Sequence, residues 1–355
     1  ASDVYKRQVC AVLPFGMFAA VALGGLSLIL ANFLAMLTIG ILILRWFSNR
    51  RFQPSLHIPT AGAYLIFFAL YSLFSAFVLV RMYQGQFLVF PMNVTYKSTQ
   101  VSVFFPSTMV PLWPTKSNIS QSFYILLSSG FFIASVLVFR RRELRFAEAG
   151  LVWAASINIL LGLLDFLQLD AVLSAVRTAD YSLANQHTLA GFARVVGGYA
   201  EASVFGAASA GLAAYFMMSF LIGYRIRDGF LALGNLTFAS LAFSSTAFLA
   251  ICAALGLIAL HSRVFLHRNL SWNAGHTLVI GLAGLVGVGC LLVIFTPVID
   301  FMSDLLDRLV FSKRNSLSGL ERSAWAQAGI DTFYQTYGLG AGAGSLRASG
   351  LMPVL

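Results

Sequence analysis

The residues of this chain that could do chemistry fall in three polar stretches. The first is Gly191-Phe192-Ala193-Arg194-Val195-Val196-Gly197-Gly198-Tyr199-Ala200-Glu201-Ala202-Ser203. Arg194 offers a permanently charged, planar donor fork suited to phosphate. Glu201 stands where a helix is expected to begin. It either interacts with the dipole of that helix or is a carboxylate held beside an arginine at the mouth of a membrane cavity. The second stretch is Ser312-Lys313-Arg314-Asn315-Ser316-Leu317-Ser318-Gly319-Leu320-Glu321-Arg322. The third is Gly338-Leu339-Gly340-Ala341-Gly342-Ala343-Gly344-Ser345-Leu346-Arg347. Gly340, Gly342 and Gly344 let backbone N–H groups approach a phosphate, and Arg347 adds a bidentate clamp; a flexible return into the membrane accounts for the string equally well. It is no dinucleotide fingerprint, because no strand precedes it. It is no Walker loop either, because no Gly-Lys-Ser/Thr follows.

Other polar residues carry less. Asn158 and Asp165 share one face of a predicted crossing, and intramembrane polar residues are functional candidates; Asp165 is expected at the interface. His187 titrates near neutrality by type, and His276 opens a crossing far from the other candidates. Asn93-Val94-Thr95 and Asn118-Ile119-Ser120 fit the glycosylation triplet, a pattern common by chance. Cys10, Cys252 and Cys290 all lie inside apolar runs, as buried free thiols do. No His-Glu-x-x-His, Cys/His cluster or paired acidic motif supports a metal site.

The elements that must position these residues are membrane helices. Hydrophobic residues make up 59% of the 355, charged residues 10%, and the mean hydropathy is +0.82. A soluble domain is about one quarter charged, so this chain cannot cover a water-facing surface. Apolar segments fall near 9–27, 29–47, 58–80, 120–139, 148–168, 201–223, 230–260 and 275–297. Each meets or exceeds the ~20 residues needed to span hydrocarbon, give or take a turn. The net charge of +10 does not indicate nucleic acid, because the basic residues sit in short loops beside apolar runs. Those loops carry Arg45, Arg50 and Arg51; Arg140, Arg141, Arg142 and Arg145; Arg225 and Arg227; Arg263 and Arg268. The positive-inside rule assigns them to the cytoplasm.

Charge parity then constrains the count. Segment 230–260 has basic flanks on both sides, yet at 1.5 Å per residue it reaches only about 46 Å, too long for one crossing and short for two. The polar Ser244-Ser245-Thr246 at its middle predicts a hairpin of two short helices, its turn at membrane depth against protein or a water-filled cavity. Run 9–47 divides similarly, with Gly24-Gly25 and a turn near Asn32. The expected fold is all-α: a polytopic membrane protein of about nine crossings. Loops 81–119, 169–200 and 298 onward then face outward and carry short amphipathic helices. Trp325, Phe333 and Tyr337 are spaced to share one helical face, lying on the membrane or packed over the loop. Residues 9–355 read as one membrane domain. Residues 1–8 resemble translated sequencing-adapter read-through and are set aside as non-native.

These outer loops resemble those of the O-antigen ligase/polymerase family of bacterial membrane glycosyltransferases, most nearly its exopolysaccharide polymerase-like members. The resemblance lies in Gly-Phe-x-Arg-x-x-Gly-x-x-x-Glu-Ala-Ser from Gly191 to Ser203, and in Ser-x-Ser-Gly-x-Glu-Arg-x-x-Trp from Ser316 to Trp325. It continues in the glycine run ending at Ser349 and in Pro114-x-x-x-Asn118-Ile119-x-Gln121. It covers most of the chain after residue 60, with its specific motifs confined to the loops.

The resemblance implies polymerisation of lipid-diphosphate-linked oligosaccharide units into O-antigen or exopolysaccharide, outside the bacterial cytoplasmic membrane, with no metal, nucleotide or other cofactor. Partners would be a polyprenyl-diphosphate-linked glycan, the bilayer and, as the resemblance allows, a chain-length regulator; nucleic acid is not among them. Arg194, Arg322 and Arg347 would neutralise the diphosphate, with Gly340, Gly342 and Gly344 admitting it to the backbone. Glu201 would orient or deprotonate the acceptor hydroxyl, or position Arg194. Two departures stand out. Relatives often carry Ser-Arg at the mid-hairpin turn where this chain has Ser244-Ser245-Thr246-Ala247, so that arginine's role is moved elsewhere or was never used. Relatives also continue beyond the point where this chain stops, so it is expected to lack C-terminal helices. A ligase passing a finished glycan to a lipid A core is the sister reading, and a transporter or flippase of lipid-linked glycans the reading from another class. Transport predicts intramembrane charges and symmetric broken helices, of which the sequence shows few and none.

Overall fold

A computed structural model describes residues 2–23, 26–48, 60–89, 95–96, 99–100, 110–138, 144–179, 188–189, 192–269, 326–327, 329–345 and 352–353. The protein is mostly helical. In chain order the helices are α1 (Ser2–Ala11), α2 (Leu30–Ser48), α3 (Thr60–Phe74), α4 (Val80–Met82), α5 (Lys116–Val138), α6 (Leu144–Phe166), α7 (Asp170–Leu173), α8 (Ala202–Gly223), α9 (Ile226–Leu241) and α10 (Ser245–Asn269). A π-helical turn, Ser75–Leu79, joins α3 to α4. Among the described residues, five helices are long and apolar enough to cross a bilayer: Leu30–Ser48, Thr60–Met82, Lys116–Leu137, Phe146–Phe166 and Ala202–Gly223. They leave large apolar side chains uncovered, such as Phe47, Tyr64, Phe67 and Ile222. Surfaces of that kind suit a lipid solvent, not water.

Strands are few and short. β1 (Ala19–Leu23) and β2 (Leu26–Ile29) form an antiparallel pair. β3 (Phe87–Val89) lies between β6 (Val110–Pro111) and β9 (Met352–Pro353). β4 (Thr95–Tyr96) pairs with β5 (Thr99–Gln100), and β7 (Thr188–Leu189) with β8 (Phe192–Ala193). The β1–β2 pair corrects the expectation of a helix over 9–27. α1 ends at Ala11, just before Pro14, which cannot donate to a helical ladder. Beyond it, the register Leu23↔Leu26 leaves only Gly24-Gly25 between the strands, a dipeptide that favours hairpins over helix continuation. Residues 2–8, set aside from the sequence as non-native, belong to α1, which packs on α6. There the Arg7 guanidinium lies 5.2 Å from the centre of the Phe146 ring.

Contacts divide the chain into two compact units, residues 1–34 with 141–311 and residues 35–140 with 312–355. In the first, α8 is the central helix, with α9 and α10 both packed on it. Phe205 and Phe216 of α8 are fully buried. One cluster joins Phe205 to Val195, Val196, Tyr199, Phe238, Ala242 and Ala247, and a second joins Phe216 to Ala155, Leu212, Leu231 and Ala232. A polar knot ties three helices across this core. Asn158 of α6 donates through Nδ2 to Ser209 Oγ of α8 (2.8 Å) and to Asn235 Oδ1 of α9 (2.9 Å), and all three residues are fully buried.

Segment 230–260 is broken, and the break falls at Ala242-Phe243-Ser244, between α9 and α10. Phe243 takes a left-handed φ of 42° there, while Ser245 and Thr246, expected in the turn, open α10 instead. α9 has 16 residues, but α10 has 25 and is not the short arm expected. Gly206 lets α8 come against the break; a Cβ at that position would lie 2.4 Å from Ala247 Cβ and 3.0 Å from Ala242 Cβ. The α8–α9 turn is fixed electrostatically. Ser219 Oγ and Arg227 Nε donate to the buried Asp228 carboxylate at 2.7 and 2.9 Å, and Arg225 pairs with Glu148 at 2.9 Å.

In the second unit, α3 packs on α5. Residues 329–335 are helical, and their buried side is Thr332. Phe333 and Tyr334 are exposed. Tyr337, expected on the same helical face as Phe333, lies past the helix end with φ 54° and is 92% exposed. Trp325 lies outside the described residues.

Candidate functional site

Arg194 sits on a strap of chain laid across the end of α9. The Val195 N–H donates to the Leu241 carbonyl and Arg194 Nε to the Ala242 carbonyl, each at 3.2 Å. The last carbonyls of a helix lack intrahelical partners and carry the negative end of its dipole, so a guanidinium is favoured there. That contact uses one of the five N–H bonds of the side chain. Its Nη nitrogens donate to no group among the described residues, and no carboxylate among them pairs with it. Burial pushes the Arg194 guanidinium below the ordinary arginine value, and the charge of Glu201 partly offsets this. An arginine in this condition suits an anion: its charge is partly desolvated, and its outer donors meet no partner among the described residues.

Glu201 is the N-cap residue of α8, with φ −139° and ψ 143°, but its side chain caps nothing. The carboxylate is exposed and accepts a hydrogen bond from Ser203 Oγ at 2.9 Å. Both readings that the sequence leaves open keep their footing: Glu201 stands at the positive end of the α8 dipole, and its charge also acts on Arg194.

What holds the strap was not read from the sequence as a site. Asp165, at the end of α6, takes the Val196 and Gly197 N–H groups on Oδ2 at 2.5 and 2.9 Å, and Arg177 Nη2 on Oδ1 at 2.5 Å. Arg177 Nε in turn donates to the Gly197 carbonyl at 2.9 Å. Asp165 and Asn158 share a helix face as their spacing predicts, but they serve different structures. The only signal available in the sequence was an acidic residue near the end of an apolar run.

The glycine loop belongs to the second unit. Gly338, Gly340, Gly342 and Gly344 have φ of 84°, 74°, 103° and 78°, while Leu339, Ala341 and Ala343 between the glycines do not enter positive φ. Alternating handedness of this kind is what an anion-receiving backbone nest requires. Side chains pin the loop from outside. Asn118 Nδ2 donates to the Ala343 carbonyl and to Ser345 Oγ, both at 2.8 Å; Ser75 Oγ accepts the Ala343 N–H at 3.1 Å; Thr336 Oγ1 accepts the Gly340 N–H at 2.7 Å. Tyr71 and Tyr83 donate their hydroxyls to the carbonyls of Leu339 and Thr336. The N–H groups of Ala341, Gly342 and Gly344 donate to nothing among the described residues. Gly342 is where the loop presses on the π-helical turn: a Cβ there would stand 2.2 Å from Val80 Cγ2 and 2.8 Å from the Ser75 carbonyl oxygen.

Asn118 is thus a buried loop anchor, not an exposed glycan acceptor. Arg194 and Glu201 lie in the first unit, and Gly340, Gly342 and Gly344 in the second. Arg322, Arg347 and His187 lie outside the described residues. Comparison with family models, curated proteins and solved structures finds no match to this chain.

Proposed function

We propose that the chain polymerises lipid-diphosphate-linked oligosaccharide units into a polysaccharide, on the outer side of a bacterial cytoplasmic membrane. The observation that carries this reading is the glycine loop, an alternating-φ backbone with three N–H groups that have no partner among the described residues, with Arg347 three positions beyond Gly344 in sequence. A diphosphate leaving group is the anion such a loop and arginine suit. The resemblance of the loop motifs to the O-antigen ligase/polymerase family supports the same chemistry. So does the half-buried Arg194, whose Nη nitrogens meet no partner among the described residues. In the topology read from charge, about nine helices cross, the four arginine-bearing connections face the cytoplasm, and loops 81–119, 169–200 and 298 onward face outward.

In this reading an acceptor hydroxyl attacks the anomeric carbon of the donor. A new glycosidic C–O bond forms, and the C–O bond to the lipid diphosphate breaks. The hydroxyl proton passes to Glu201 or, if Glu201 serves to position Arg194, to solvent. Negative charge grows on the leaving diphosphate; its neutralisation is the role that the family resemblance implies for Arg194, Arg322 and Arg347.

The test gives the purified full-length protein a polyprenyl-diphosphate-linked oligosaccharide in detergent and resolves the products on a gel. A ladder of longer glycans supports polymerisation. Transfer only to an added lipid A core points to a ligase, and no covalent product under either condition points to transport. Arg194→Lys and Arg347→Lys should each abolish elongation, because a lysine cannot reproduce bidentate contact with a phosphate; retained turnover removes them from the site.

A further inference from the structure

The strap that carries Arg194 is held from both ends, and one end is a device with no other evident purpose. Toward the break, Val195 N–H is fixed to the Leu241 carbonyl. Toward α6, the backbone of Val196 and Gly197 is gripped by an ion pair. The Asp165 carboxylate takes both N–H groups while the Arg177 guanidinium takes the Gly197 carbonyl, and the two side chains bond each other at 2.5 Å. Both side chains are largely buried, at 12% and 19% exposure. A buried ion pair is weak evidence for stability as such, since apolar replacements often do as well. Here its geometry serves a stretch of backbone two residues from a guanidinium whose outer nitrogens meet no partner among the described residues.

The surrounding bonds make this end of the first unit stiff. Met17 N–H donates to the Gly198 carbonyl at 2.8 Å, Ala179 N–H to the Met17 carbonyl at 2.9 Å, and Tyr199 Oη to the Leu13 carbonyl at 3.0 Å. Thr178 Oγ1, one residue beyond Arg177, accepts the Ala19 N–H at 3.0 Å. Residues 13–19, 177–179 and 194–199 are therefore one bonded cap, with Asp165 as its post on α6.

We infer that Asp165 and Arg177 are positioning residues. They set the backbone of Val196 and Gly197 so that Arg194 stays at the α9–α10 break with its Nη donors presented to a phosphate oxygen. The inference rests on the diphosphate-dependent reading for its substrate, but its mechanical part concerns Arg194 alone. Asp165 and Arg177 touch no substrate in this scheme, so their loss acts only through Arg194. Misplacing a charge-stabilising group by about 1 Å can cost up to roughly a hundred-fold in rate.

The experiment is a double-variant cycle on the full-length protein, using Asp165→Asn, Arg194→Gln and the pair, with Arg177→Lys as a milder variant in case Asp165→Asn does not fold. Three quantities are read: kcat and donor KM for chain extension, calorimetric binding of inorganic pyrophosphate, and Tm. Positioning predicts that Asp165→Asn lowers kcat by roughly 10- to 100-fold with a small change in KM. In the Arg194→Gln background, where elongation is already lost, it should weaken pyrophosphate binding no further, while still lowering Tm. A loss that adds fully to that of Arg194→Gln, or a fall in Tm with kcat unchanged, overturns the inference and leaves the polymerase reading standing. If the wild type extends no chains but binds pyrophosphate, and the same non-additivity appears in binding, the inference holds and the polymerase reading falls. If it neither extends chains nor binds pyrophosphate, both are overturned.

Discussion

Asn118 and Ala343 are 225 residues apart in the chain and joined by a 2.8 Å hydrogen bond from Nδ2 to the carbonyl. The same nitrogen reaches Ser345 Oγ, and Asn118 Oδ1 accepts from the Thr115 N–H at 2.7 Å and the Thr115 hydroxyl at 3.1 Å. One buried side chain therefore organises both the first turn of α5 and the glycine loop. Asn118→Ala leaves buried groups unmatched, at a cost of about 1–3 kcal/mol. The expected result is a lower melting temperature in detergent, together with weaker pyrophosphate binding. Asn118→Asp should behave as badly, because it keeps the acceptor and turns a carboxylate toward the Ala343 carbonyl. An unchanged melt for both variants would show that Asn118 does not anchor the loop.

The glycines of the loop are not equivalent. At Gly340 a Cβ meets nothing within 4 Å, so Gly340→Ala suffers only from its left-handed backbone, about 1–2 kcal/mol. Gly342→Ala carries that cost and also drives a methyl into Val80 and the Ser75 carbonyl, adding about 1–3 kcal/mol. Thermal melts of the two variants should differ in that order. Equal losses would mean that the loop does not press on the π-helical turn.

The Asn158, Ser209 and Asn235 knot is expected to be cooperative. Asn158 Oδ1 has no partner among the described residues, so its contribution comes through the two bonds that Nδ2 donates. Asn158→Ala and Asn235→Ala should each cost about 0.6–1.7 kcal/mol, the range for polar contacts between membrane helices. The double variant should cost less than the sum, since each single change already breaks their shared bond. Strict additivity in detergent unfolding would argue that the two side chains do not couple.

Tyr199 supplies a pH dependence. Burial pushes its phenol up from 10 to about 12, and the hydroxyl donates to the Leu13 carbonyl. The folded state thus holds the proton more tightly than the unfolded state. The associated stability is complete below pH 10 and is lost as pH rises through about 12, amounting to about 2–3 kcal/mol at most. The wild type should lose melting temperature across that window, and Tyr199→Phe should be flat there apart from background. Parallel curves for the two proteins would place the hydroxyl in water.

Much of this was legible in the residues. The apolar runs near 29–47, 58–80, 120–139, 148–168 and 201–223 became helices of membrane length. The polar Ser244-Ser245-Thr246 marked a break within two residues of the observed one. The glycines of the 338–344 string all took the positive φ that only glycine adopts without strain. Run 9–27 misled, because hydropathy reports burial in lipid or protein and not the backbone conformation in which a segment is buried. Pro14 and Gly24-Gly25, both in plain view, settled that locally.

By itself the sequence determined that the chain carries apolar runs of membrane length, where five of its helices fall, and where arginine and glycine stand along it. Those properties are local sums over neighbouring side chains. The tertiary structure decided which polar groups meet: Asp165 with the Val196 and Gly197 amides, Arg194 with the Ala242 carbonyl, Asn118 with Ala343 and Ser345. A hydrogen bond depends on position and angle to within a few tenths of an ångström. Residues 31 to 227 positions apart acquire that relation only once the helices between them have packed.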